Sequence, residues 1–174
     1  CNENWNISAA GGVCLRLCVS TAGDAALPFV VPFIQANLQA EAYRQREAAT
    51  FALGASVEGP SLEAIIPLGA AALPTLLANL THTSDHMRDT AAWAVGRMFE
   101  FLHMPLMGGV LITPEMWPSV VAAMLQGMQD RSCLVAEKTT WAVKHLASGY
   151  EGVGDGRTSP LSGVFQQVAQ TLIH

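Results

Sequence analysis

The stretch RDTAAWAVG, residues 88 to 96, repeats REAATFALG, residues 46 to 54, at an offset of 42 positions. The segment ahead of each repeats as well: PTLLANL (74 to 80) matches PFIQANL (32 to 38) at the same offset. A third copy follows at an offset of 48, with AAMLQGM (122 to 128) answering PTLLANL and EKTTWAV (137 to 143) placing Trp141 opposite Trp93. The extra residues fit a loop around HMPLMGGVLI, residues 103 to 112.

A period at or just above about 40–47 residues is that of two-helix HEAT and armadillo repeats. Each repeat reads as an apolar, proline-marked helix A and a charge-bearing helix B. The A helices are expected at about 27–38, 68–80 and 117–128, and the B helices at about 43–58, 85–102 and 133–150. The repeats thus span about 27–58, 68–102 and 117–150, with a leading B helix at about 6–20 and a partial repeat at about 161–173. No strand alternation appears. Turns such as THTSD (81 to 85) are short enough for antiparallel neighbours, and GVGDGRTSP (152 to 160) reads as a flexible linker. The expected fold is an all-α HEAT-repeat solenoid, one fragment over 1–174, with one face of each B helix left open along a concave surface.

Composition narrows the function. Half of the chain is hydrophobic, enough for a continuous core, and a net charge of −5 argues against nucleic acid and anionic membranes while permitting a basic partner. The four cysteines show no CxxC spacing and are expected to be reduced thiols of an intracellular protein. No signal-peptide pattern is apparent, and the two glycosylation sequons (Asn6 to Ser8, Asn79 to Thr81) are short enough to arise by chance. The longest apolar stretch, residues 64 to 78, is broken by Pro67 and Pro74 and reads as too short for a membrane span. A start at Cys1 with a helix already under way by Ala9 suggests a piece of a longer protein.

The candidate site comes from helical geometry. With Trp93 at zero and about 100° per residue, Asp89 falls at roughly −40° and Glu100 at roughly −20°. Ala91, Val95, Met98 and Leu102 fall at roughly 140–200°, on the opposite side. A buried aromatic should share the core stripe, and Trp93 does not. The pattern recurs: Glu47, Phe51 and Glu58 occupy equivalent positions in the preceding B helix, and Glu137 and Trp141 in the following one. Stacked B helices are therefore expected to present a ladder of aromatics flanked by acids. Such a ladder suits an arginine- or lysine-rich segment, with the cation over the ring contributing about 0.5–2 kcal/mol and carboxylates adding charge-assisted hydrogen bonds. Gly54 and Gly96 beside the rings either clear space for a ligand or allow close helix packing.

The sequence resembles the importin beta (karyopherin beta) family, as a central segment of such a protein. WNISAAGGVCL (5 to 15), LPFVVPFI (27 to 34), YRQREAA (43 to 49), EGP (58 to 60), LPTLL (73 to 77), RDTAAWAVGR (88 to 97) and WAV (141 to 143) carry the resemblance together. It implies nuclear import: inner B helices that grip the basic segment of importin alpha or a cargo, release by Ran-GTP, passage through FG nucleoporins, and a place in cytoplasm, nucleus and pore. By motif match Trp5, Trp93 and Trp141 are the gripping tryptophans, with Asp89 and Glu100 as acids on the same face. Two departures are expected to weaken the last rung. Ser148 stands where Glu100 would, and Lys138 and Lys144 lie close to Trp141.

Two other readings compete. His82 and His86 are four apart, as in a helical metal site, but threonine stands where HExxH requires glutamate and the pair sits in a turn without a third ligand. No catalytic motif or cofactor site is expected, and His103 and His145 read as ordinary surface or packed residues. A non-transport HEAT scaffold shares the fold but does not call for acid-flanked aromatics.

Overall fold

The computed structural model describes residues 7–151 and 161–173. Among the described residues eight α-helices follow in order: α1 (Ile7–Ala22), α2 (Leu27–Asn37), α3 (Tyr43–Ala55), α4 (Leu62–Asn79), α5 (Asp85–Leu102), α6 (Trp117–Met128), α7 (Cys133–Ser148) and α8 (Phe165–Ile173). Helices α2, α4, α6 and α8 are the A helices, and α1, α3, α5 and α7 the B helices. The expected all-α solenoid is what forms. The linker expected at 152 to 160 lies outside the described residues.

Most boundaries fall within three residues of the sequence reading. The exceptions are α8, which begins at Phe165 and not near 161, and α4, which begins at Leu62 and not near 68. Pro67 and Pro74 both lie inside it and both are exposed. Proline there removes one main-chain bond and sets its ring against the preceding turn. The turn is held regardless by the burial of Ile65, Leu73 and Leu76, each fully sequestered. By length and apolarity alone α4, and the joined run Ala9–Asn37, could cross a membrane. That corrects the estimate of the apolar stretch as too short; here α4 packs against α5 as one layer of the stack.

Hydrophobic burial follows the A/B pattern. Ala91, Val95, Met98 and Leu102 on α5 are all fully buried, as the helical wheel requires. Successive B helices pack closely against one another, whereas the A helices touch each other far less. Unequal spacing of the two rows bends a solenoid towards its tighter side, which puts the B helices on the inner face.

Arginine ties the turns together. Arg88 is 5% exposed; its Nη1 donates to the carbonyls of His82 (2.9 Å) and Thr83 (3.3 Å) behind it. Its Nε and Nη2 grip Asp130 of the next repeat at 2.7 and 3.0 Å. Arg46 does the same one repeat earlier, donating to the carbonyls of Ala40 and Glu41 at 2.6 and 2.7 Å. Its forward partner is His82, with Nη2 and Nε2 3.2 Å apart.

The long loop after α5 folds on a polar–aromatic cluster. His103 is 1% exposed; its Nδ1 accepts from Ile112 N–H at 3.4 Å and its Nε2 meets Tyr150 Oη at 2.8 Å. Trp117 and Tyr150 enclose the imidazole edge-on, and burial pushes its pKa down to about 4. No strand forms among the described residues, as expected; this loop carries one isolated antiparallel bridge, Met104 to Gly109, closed by left-handed Gly108.

Candidate peptide-binding face

Phe51, Trp93 and Trp141 fall in register along the inner face, one on each of α3, α5 and α7. They are half-buried and do not stand free in an open trough, which corrects the outward orientation expected from the wheel. Each ring lies across the glycine of the preceding B helix. A Cβ at Gly12 would collide with the Phe51 ring, one at Gly54 would come within 2.6 Å of Trp93 Cζ3, and one at Gly96 within 2.4 Å of Trp141 Cζ3. Of the two readings of these glycines, close helix packing is the one the structure selects. The Phe51 and Trp93 rings also touch, centroids 4.9 Å apart and tilted by 37°. Trp141 meets His145 edge-on at 4.3 Å. The rings are thus both mortar between helices and, by their accessible edges, part of the inner surface.

The acids are on that surface too, but most are engaged within the chain. Glu58 accepts from Arg97 Nη2 at 2.7 Å and from Arg16 Nη1 at 3.4 Å. These cations, Arg97 foremost through its hydrogen bond, hold the Glu58 carboxyl below the usual range. Glu100 accepts from Arg97 Nη1 at 3.2 Å and lies 3.9 Å from His145. Burial lowers the His145 pKa against the attraction of Glu100, so that contact is chiefly one of a neutral imidazole. Asp89 receives Lys138 Nζ at 2.6 Å. The B-helix row is therefore laced by Arg16–Glu58–Arg97–Glu100, with Glu58 three residues past the end of α3 and not on it as expected, and by Asp89–Lys138 between α5 and α7.

Glu47 has a different status. Among the described residues its hydrogen-bond partner is Thr90 Oγ1, at 3.5 Å. Glu137 is exposed. Trp5 lies outside the described residues. Lys138, read as a cation that would weaken the Trp141 rung, is spent on Asp89, and Lys144 is exposed on the same helix.

Sequence reasoning missed Arg97 and Arg16, although the signal was there. Arg97 lies four residues after Trp93, at roughly +40° on the same wheel. Arg16 is 42 positions before Glu58, one repeat period. Of the two histidines weighed for a metal, His82 has its Nδ1 taken by Ser84 N–H at 3.0 Å and its Nε2 3.2 Å from Arg46 Nη2. Among the described residues no group of three potential metal ligands occurs.

Comparison with known proteins agrees with this architecture. A HEAT-like repeat family matches residues 43–98. Importin subunit beta-1 of Arabidopsis thaliana is 40% identical over 170 residues, covering 97% of this chain. A structure of Kap95p with RanGDP superposes with a TM-score of 0.85 at 29% identity, and a Kap95:Nup1 complex with 0.86 at 28%, each covering 99% of this chain and 19% of that one. The chain likewise spans 19% of the length of the Arabidopsis relative. Over nearly all of its length, then, this chain corresponds to a HEAT-repeat segment of the importin beta family.

Proposed function

We propose that this chain is a segment of a nuclear import receptor, and that its inner B-helix face recognises the basic segment of an importin alpha-like adaptor or of a cargo, without catalysis. The observation that supports this most is the registered column of Phe51, Trp93 and Trp141 among Glu47, Glu58, Asp89, Glu100 and Glu137. Ring edges offer apolar footing for the stems of lysine and arginine, and carboxylates on either side offer charge. The relatives support the wider role: Kap95p has been captured with RanGDP and with Nup1. By that kinship the full receptor answers to Ran-GTP for release, contacts FG nucleoporins, and moves between cytoplasm and nucleus through the pore.

A second reading has one observation in its favour. Because Glu58, Glu100 and Asp89 are already ion-paired inside the chain, the same face could serve as a rigid inner wall of a HEAT scaffold. A basic peptide titrated against tryptophan fluorescence separates the two. The import reading requires a spectral shift that weakens with salt and is lost in Trp93→Ala. It also requires Asp89→Lys or Glu100→Lys to weaken binding more than Glu63→Lys on the exposed side of α4. No response to the peptide, or equal effects at all three acids, would leave the scaffold reading standing.

A further inference from the structure

We infer that Arg97 and Lys138 occupy, from within the chain, the cation positions that a basic ligand must take, and so set the affinity and specificity of the inner face. The inference rests on the peptide-binding reading above.

Three acids of the ladder, Glu58, Glu100 and Asp89, are ion-paired to the chain's own cations, although Asp89 Oδ1 stays buried without a partner. Arg97 is held on both sides, by Glu58 at 2.7 Å and Glu100 at 3.2 Å, with its side chain 11% exposed. Its guanidinium lies 4.2 Å from the centroid of the Phe101 ring. It therefore sits between two carboxylates and over an aromatic face, the same set of contacts that the column offers a ligand arginine. Lys138, one helix on, is paired with a single carboxylate, 2.6 Å from Asp89, with the lysine 35% exposed.

The consequence is a division of the ladder. Glu47 and Glu137, with the accessible edges of the rings, are open to an arriving segment at once. Glu58, Glu100 and Asp89 become available only when Arg97 or Lys138 is displaced. A segment with one or two isolated cations cannot profit from breaking those pairs, because exchanging one cation for another leaves the number of ion pairs unchanged. A dense run of arginines and lysines can, since each displaced side chain is replaced by one already tethered to the bound segment. The internal cations thus select for high charge density.

The test uses the 174-residue chain, its Arg97→Gln and Lys138→Gln variants, and two peptides, one with a dense run of arginine and lysine and one with two isolated lysines. Circular dichroism establishes that each variant is folded. Arg97→Gln is expected to tighten both peptides, about two- to fivefold for the sparse one and less for the dense one, as a partly exposed ion pair is worth. Lys138→Gln is expected to act in the same direction, and it decides the matter alone should Arg97→Gln fail to fold. Binding by the original chain that is lost in Trp93→Ala, yet is unchanged or weaker in the folded glutamine variants, would overturn this inference and leave the peptide-binding reading intact. Absence of binding by every chain would overturn both.

Discussion

Replacing Gly96 by alanine probes the ring-on-glycine packing that joins the B helices. In an open helix the change stabilises by about 1 kcal/mol, because glycine loses more backbone freedom on folding. Here the new methyl would lie 2.4 and 2.5 Å from Trp141 Cζ3 and Cε3, and 3.3 Å from Ala142 Cβ. Overpacking of this kind costs roughly 1–3 kcal/mol. The net expectation is a loss of about 1 kcal/mol for Gly96→Ala, read from urea unfolding followed by circular dichroism. The neighbours of that methyl are side chains, so removing the indole should relieve the clash. In a Trp141→Ala background Gly96→Ala should stabilise by about 1 kcal/mol, giving a coupling of roughly 2 kcal/mol in the double-mutant cycle. Gly54 provides the contrast: its methyl would also lie 3.0 Å from Ala94 Cα, a backbone atom that removal of Trp93 does not move. Gly54→Ala should therefore be only partly rescued by Trp93→Ala. If Gly96→Ala stabilises the original chain, or if its effect is the same with and without the indole, the ring does not rest on that glycine and the packing argument fails.

Three further outcomes are expected. His82→Asp should stabilise by about 1 kcal/mol, measured as a rise in unfolding free energy that disappears in an Arg46→Gln background. A neutral imidazole accepting Ser84 N–H at Nδ1 carries its proton on Nε2, 3.2 Å from a guanidinium, whereas Asp130 satisfies both partners in the next repeat. Stability should fall on acidification: with the His103 pKa lowered from 6.5 to about 4, the unfolded chain binds the proton first. That contribution is whole above pH 6.5 and is lost as pH drops towards 4, amounting to roughly 3 kcal/mol; His103→Gln should flatten this part of the profile. Gly59→Ala should cost more than about 2 kcal/mol in thermal or urea unfolding, since φ there is +111° and a Cβ would lie 2.5 Å from Ser20 Cα.

Much of the fold was legible because repetition is a long-range signal. The match of RDTAAWAVG to REAATFALG located α5 and α3 together, and the core stripe of Ala91, Val95, Met98 and Leu102 followed from periodicity alone. The start of α4 was not, since Pro67 reads locally as a helix start and only tertiary burial of Ile65 carries the helix through it. The site was half legible. Its residues do share one face, but a wheel drawn for one helix cannot show a neighbour. Trp93 lies opposite its own helix's core stripe and still packs, because Gly54 on α3 admits it. The acids likewise read as free: Arg97, three residues before Glu100 on the same helix, was overlooked, and the stacking brings Arg16 and Arg97 to Glu58 and Lys138 to Asp89 from neighbouring elements.

The most direct examination of the central claim is a photo-cross-linking footprint. An arginine-rich peptide carrying a benzophenone is bound to the chain at low salt, irradiated, and the adducts mapped by mass spectrometry. Recognition by the inner face places the adducts on α3, α5 and α7, around Phe51, Trp93 and Trp141, and high salt suppresses them. Adducts confined to the A helices α2, α4 and α6, or insensitive to salt, would contradict it.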